Sequence, residues 1–172
     1  PDPDVLAATG SQGEFVRPIW DYIEASVTPA RIEAGQRKLA EHADTLAAIE
    51  AKYGVDRHIL VAFWGVESSY GAVLDNPAIV KPVVRSLATL GCGDPARAPY
   101  WRDELAAALQ ILAWNQAPLD RMPGGLTGSW AGAMGHTQFM PSVYQRDAVD
   151  FDGDGKRDIW TSVPDALAST AN

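Results

Sequence analysis

The stretch Phe63-Trp64-Gly65-Val66-Glu67-Ser68-Ser69-Tyr70-Gly71 places one carboxylate among apolar side chains near the end of a helical run. Val55, Ile59, Ala62, Phe63, Val66 and Tyr70 recur at helical spacing through it; Asp56 is suited to cap its start and Gly71 to stop it. Glu67 follows Leu60, Phe63 and Trp64 at spacings of seven, four and three, beside their apolar face. Partial desolvation there disfavours the charged carboxylate and raises its pKa, the condition for a general acid that keeps its proton near neutral pH. Position alone leaves open the alternative of a glutamate bonded to a loop amide or paired with an arginine.

Outward from this helix the pattern stays helical. Ile32, Leu39, Leu46 and Tyr53 recur every seven positions after Thr28-Pro29, which predicts one long amphipathic helix stopped at Gly54. Shorter helices fit Pro82 to Leu90, and Pro99 to Trp114 with Trp101, Leu105, Leu109 and Leu112 on one stripe. Pro141 starts a short helix through Tyr144, and Ser162 caps a last one. No segment alternates with period two, so the class is mainly α, with an N-terminal helical segment over 1–54 and a core over 55–172. Between Pro118 and Gly135 glycine and small residues allow close approach of a ligand to backbone, and we read this stretch as cleft wall.

With 172 residues, 47% of them hydrophobic, the chain can bury a sizeable core. Its longest apolar stretches, such as Ile59 to Val66, fall short of the roughly 20 residues that span a bilayer. The chain opens at Pro1 and closes at Asn172 in a helix-like run, which we read as the catalytic part of a longer precursor whose export signal or anchor lies elsewhere. A formal charge of −8 argues against nucleic acid and anionic membrane as partners. The lone Cys92 excludes an internal disulfide and is expected to be a small buried hydrophobe. His42, His58 and His136 lack metal-ligand spacing, and Arg85, Arg97 and Arg102 read as solvated helix faces.

A second motif runs Gly128-Ser129-Trp130-Ala131-Gly132-Ala133-Met134-Gly135-His136-Thr137-Gln138-Phe139-Met140-Pro141-Ser142. Together with the Glu67 stretch it resembles the lytic murein transglycosylase B family, with its WGVE segment and its GSxAGAMGxxQFMPS segment. The likeness continues through Asp150 to Gly155 and, more loosely, from Glu14-Phe15 to Tyr53-Gly54-Val55, with a departure at Ser69-Tyr70. It implies a lysozyme-like fold and cleavage of the β-1,4 bond between N-acetylmuramic acid and N-acetylglucosamine in peptidoglycan strands, leaving a 1,6-anhydro end, with Glu67 as sole acid/base. It also implies a bacterial monomer working in the periplasm, tethered to the outer membrane, if at all, by a segment outside this one. Ordinary glycoside hydrolysis uses two carboxylates, and this second motif supplies none. Ser129 and Gln138 are its polar candidates for orienting the substrate's N-acetyl group, against a role as turn cap and loop tie. Tyr144, Trp130 and Met134 are candidates for cleft lining or sugar stacking, each equally suited to the core.

Asp150, Asp152, Asp154 and Gly155 occupy positions 1, 3, 5 and 6 of an EF-hand-like loop, Lys156 offers its carbonyl at position 7 and Asp158 stands at position 9. Thr161 replaces the usual Glu at position 12, and Asp165 either turns back as a ligand or completes a capping box with Ser162. Calcium in a structural role is the expected cation, as the resemblance also implies. Two rival readings remain: a water-using muramidase of the same fold, and a non-catalytic calcium-dependent cell-wall binding module.

Overall fold

Caps chosen by short polar side chains set the helix starts. Thr28 Oγ1 accepts from the Arg31 amide at 3.2 Å, Asp56 Oδ1 accepts from the His58 amide at 2.7 Å, and Ser162 Oγ accepts from the Asp165 amide at 3.3 Å, as the sequence pattern requires. The computed structural model describes residues 1–10, 18–122 and 124–172; the Glu14-Phe15 part of the resemblance lies outside them. In chain order the elements are α1 (Pro3–Ala8), α2 (Ile19–Ser26), α3 (Pro29–Glu41), α4 (Ala43–Tyr53), α5 (Arg57–Ser68), β1 (Lys81–Pro82), α6 (Val83–Gly93), α7 (Ala98–Trp114), β2 (Thr127–Gly128), α8 (Pro141–Asp147) and α9 (Val163–Ala171). The mainly α class holds.

The single long helix expected over Thr28 to Gly54 is instead two, α3 and α4, parted at His42 with φ −111° and ψ 24°. A heptad cannot reveal this break, because Leu46 and Ile49 of α4 face a core of their own while Ile32 of α3 stays exposed. Gly54 closes α4 in the left-handed conformation expected of a stop residue.

Among the described residues, two apolar clusters carry the fold. One gathers Val5, Val83, Leu87, Leu90, Trp101, Ile111, Met134, Tyr144 and Ile159 under α6, α7 and α8. The other joins Leu46 and Ile49 of α4, Leu60, Val61 and Trp64 of α5, and Leu167 of α9. Glu104, buried within α7, accepts the Ser142 amide at 2.9 Å and the Ser142 hydroxyl at 2.6 Å, satisfying a buried charge and seating the first turn of α8. Strands β1 and β2 pair antiparallel, Lys81 against Gly128 and Pro82 against Thr127, and so lay the second motif beside the start of α6. Cys92 is exposed, contrary to expectation, since it falls on the outer side of α6.

Candidate active site

Helix α5 is apolar nearly all round, so its sequence does not choose which face goes inward. The inward face is Leu60, Val61, Trp64, Gly65 and Ser68. Ile59, Phe63 and Val66, from the stripe expected to define the helix, lie on the open side and are 59%, 52% and 50% exposed. With Ala62 they line a shallow cavity of about 320 Å³ whose one charged member is Glu67. Desolvation pushes the Glu67 carboxyl above its ordinary range, the direction read from the sequence. Its side chain is nonetheless exposed, which bounds that push, and among the described residues it has neither hydrogen bond nor ion pair.

The chain reverses immediately after Glu67. Ser69, Tyr70 and Gly71 take φ values of 50°, 59° and 86°, so α5 ends at Ser68 rather than at Gly71. Tyr70 causes the early stop: its ring sits between Gly35 of α3 and Gly65 of α5, where an added Cβ would stand 2.7 and 2.5 Å from its hydroxyl oxygen, and that hydroxyl donates to the Arg31 carbonyl at 2.9 Å. Ser68 Oγ donates to the His136 carbonyl at 2.6 Å and accepts the Gly71 amide at 2.9 Å. Trp64 Nε1 donates to His136 Nδ1 at 2.9 Å. Burial draws the His136 pKa down to about 4, so the ring is neutral at physiological pH and, with Nδ1 accepting, carries its proton on Nε2.

The second motif folds tightly on itself, the Ser129 amide bonding the Ala133 carbonyl at 2.7 Å and Met134 and Phe139 exchanging amide bonds at 2.8 Å. Ser129 and Gln138 line one cavity of about 300 Å³ together with Asp75, Arg121, Trp160 and Thr161, distinct from the hollow beside Glu67. Ser129 Oγ accepts the Ala131 and Ala133 amides, both at 3.2 Å, so it caps the turn while its own proton stays available. Gln138, at φ 57°, donates one Nε2 proton to the Gly135 carbonyl at 2.9 Å, leaving Oε1 and the other proton for a ligand. Met134 and Tyr144 are fully buried core residues, not cleft surface; the Tyr144 hydroxyl donates to the Arg157 carbonyl at 2.8 Å. Trp130 is half-buried against the same core.

In the acidic loop, ligand oxygens of Asp150, Asp152 and Asp165 lie within 4.8 Å of one another. Asp165 does turn back: fully buried, it accepts the Phe151 and Asp152 amides on Oδ1 at 2.8 and 3.2 Å and the Asp158 amide on Oδ2 at 2.9 Å. Burial is the main influence on its carboxyl and pushes its pKa upward. Asp154 stands apart, accepting Arg121 Nη2 at 3.0 Å, and Lys156 Nζ donates to the Asn115 carbonyl at 2.9 Å. The carboxylate of Asp158 faces Arg121 at 3.0 Å, away from the three-carboxylate group. Sequence reading missed Asp75, Arg121 and the Trp64–His136 bond; the last two depend on pairings 37 and 72 residues apart, for which no local pattern exists.

Residues 1–172 match the family described as Transglycosylase SLT domain. The chain is 37% identical to membrane-bound lytic murein transglycosylase B of Escherichia coli (strain K12) over all of its own length and 44% of that protein. Its fold superposes on SltB3 of Pseudomonas aeruginosa in complex with NAG-anhNAM-pentapeptide, with a TM-score of 0.87 and 50% identity over 100% of this chain and 44% of that one. It also superposes on the Escherichia coli lytic transglycosylase Slt35 in complex with calcium, with a TM-score of 0.79 and 35% identity over 99% of this chain and 52% of that one. The lysozyme-like lytic transglycosylase fold expected from the motifs therefore holds, and the chain spans about half the length of the relatives it matches.

Proposed function

Because this chain belongs to the Transglycosylase SLT domain family, we propose that it is the catalytic part of a peptidoglycan lytic transglycosylase with Glu67 as its single acid/base. The observation that carries this reading is a lone carboxyl at the end of α5, in an apolar hollow and pushed up by desolvation with no ion partner among the described residues. Such a group holds a proton long enough to give it to a glycosidic oxygen, which is a poor leaving group without it. The resulting carboxylate then takes the proton of the muramyl 6-hydroxyl as that oxygen bonds to the anomeric carbon. This closes the 1,6-anhydro ring and regenerates the acid. An intramolecular nucleophile gains from high effective molarity, so no water need be held in place.

Ser129 and Gln138, which retain free donor and acceptor capacity in the cavity they share, orient the N-acetyl group of the substrate. Water-using hydrolysis is the second reading, favoured by Asp75, a carboxylate on the wall of that cavity. Mass spectrometry of digested peptidoglycan decides: anhydro ends support transglycosylation, reducing ends hydrolysis, and absence of release a binding module.

The donor set of the acidic loop fits a hard cation, since Asp150, Asp152 and Asp165 converge through oxygens, and burial together with the Asp152 charge disfavours a charged Asp165. We assign them as calcium ligands, with the Lys156 carbonyl as a further member; Asp154, expected from the sequence to join them, is held by Arg121 instead. Calcium there neutralises converging carboxylates and supplies no proton transfer. We further propose that it works in the periplasm, as a monomer, on glycan strands; the membrane-bound relative supports a location at the cell envelope, and the SltB3 complex with NAG-anhNAM-pentapeptide supports the ligand. Among the described residues no helix is long and apolar enough to cross a membrane.

A further inference from the structure

Asp158 is fully buried, yet no role in proton transfer or cation binding falls to it. Its Oδ1 accepts the Trp160 amide at 3.0 Å and the Thr161 amide at 2.7 Å. Its Oδ2 accepts the Thr161 hydroxyl and Arg121 Nη1 at 3.0 Å. Arg121, Trp160 and Thr161 all line the cavity that holds Ser129 and Gln138. Trp160 is held a second time, its Nε1 donating to the carbonyl of Thr127 at 2.9 Å, and Thr127 lines the same cavity. One buried carboxylate thus sets three members of one wall, and its own amide ties that wall to Asp165 at 2.9 Å. With four donors on two oxygens, its acceptor capacity is taken.

We infer that Asp158 is a positioning residue for glycan binding, acting through Arg121 and Thr161; this rests on the transglycosylase reading above. The state of Arg121 narrows what the wall receives. Its guanidinium bridges Asp154 and Asp158, both at 3.0 Å, so its charge is already matched by two carboxylates. A guanidinium so matched is a poor receptor for an anion and a good rigid donor to neutral oxygens. The ligand class for this wall is therefore the hydroxyl and acetamido oxygens of the sugar backbone rather than the acidic peptide stem.

The test is calorimetric titration of a neutral chito-oligosaccharide into the Glu67→Gln chain, alone and with Asp158→Asn, Arg121→Met or both added. Each added substitution weakens binding by roughly tenfold, about 1.4 kcal/mol, and the pair is no weaker than the worse single, because both remove one contact. In the chain that retains Glu67, the loss from Arg121→Met falls on KM more than on kcat. If Asp158→Asn fails to fold, Thr161→Val on the exposed Thr161 removes the hydroxyl bond alone and replaces it in the same cycle with Arg121→Met. Unchanged affinity, or strictly additive losses, overturns the inference and leaves the enzyme reading standing. No saccharide binding by the Glu67→Gln chain overturns both.

Discussion

The indole Nε1–H of Trp64 donates to Nδ1 of His136 at 2.9 Å, joining the helix that carries Glu67 to the second motif across 72 residues of sequence. The bond needs a neutral imidazole, since a protonated ring has no acceptor at Nδ1. The His136 pKa of about 4 lies below the ordinary 6.5, mainly because burial disfavours the charged ring. The unfolded chain therefore binds this proton more tightly than the folded one. The contribution of His136 is whole above pH 6.5 and lost as pH falls toward 4, to about 3 kcal/mol at ~1.4 kcal/mol per unit. His136→Gln offers an amide oxygen to Trp64 and cannot titrate. Denaturant unfolding at pH 7 and pH 4 should show its stability falling less than that of the parent across this window; equal falls would place the charge elsewhere.

Glu67→Gln should abolish release of anhydro products while leaving circular dichroism and glycan binding intact, because the amide can neither give nor take the proton. Residual cleavage above a few per cent of the parent would refute the assignment. Ser129→Ala and Gln138→Ala should each lower turnover by less, on the order of ten- to a hundredfold, since they orient rather than transfer protons. In the parent, loss of the Glu67 proton sets the alkaline limb of the pH–rate profile. That limb should stand above the ordinary carboxylate range, because the carboxyl is raised by desolvation.

Gly71 has a φ of 86°, and a Cβ placed on it would lie 2.4 Å from Cε1 of His136. Gly54 has a φ of 72° and open space where its Cβ would stand. Gly54→Ala should therefore lose only the left-handed conformational term, about 1 kcal/mol. Gly71→Ala adds a clash with a buried ring held by Trp64, for a total of about 2–4 kcal/mol. Equal shifts in chemical unfolding would remove the packing argument. Tyr70→Phe tests the same corner gently, losing about 1 kcal/mol with the hydroxyl bond to the Arg31 carbonyl.

Calcium should raise the melting temperature, by the equivalent of about 2.7 kcal/mol at a hundredfold excess over its dissociation constant. Asp165→Asn should weaken both that shift and the metal-free fold, since Asp165 accepts the Phe151, Asp152 and Asp158 amides. Chelation should lower stability while sparing cleavage at temperatures where the chain stays folded. Failure to detect calcium in a titration of chelated protein would reduce the loop to a carboxylate-stapled turn.

Much of this was legible in the sequence because it is local. The caps at Thr28, Asp56 and Ser162, the left-handed stop at Gly54 and the acidic turns follow from side chains that bond their own neighbours within a few residues. Long ungapped motifs carried the family and pointed to Glu67. What only the tertiary structure decided is where each face turns. A helix as apolar as α5 states that it will be buried without saying on which side, and packing around Trp64 and Tyr70 turned Leu60 inward and left Phe63 beside Glu67 in the open hollow. Met134 and Tyr144 went to the core by the same competition for buried volume, and Asp158 met Arg121 only because the chain closes back over 37 residues. Propensity and capping act within a turn or two of chain, whereas burial is shared among segments that meet only after folding, so position along the chain cannot rank which apolar face wins.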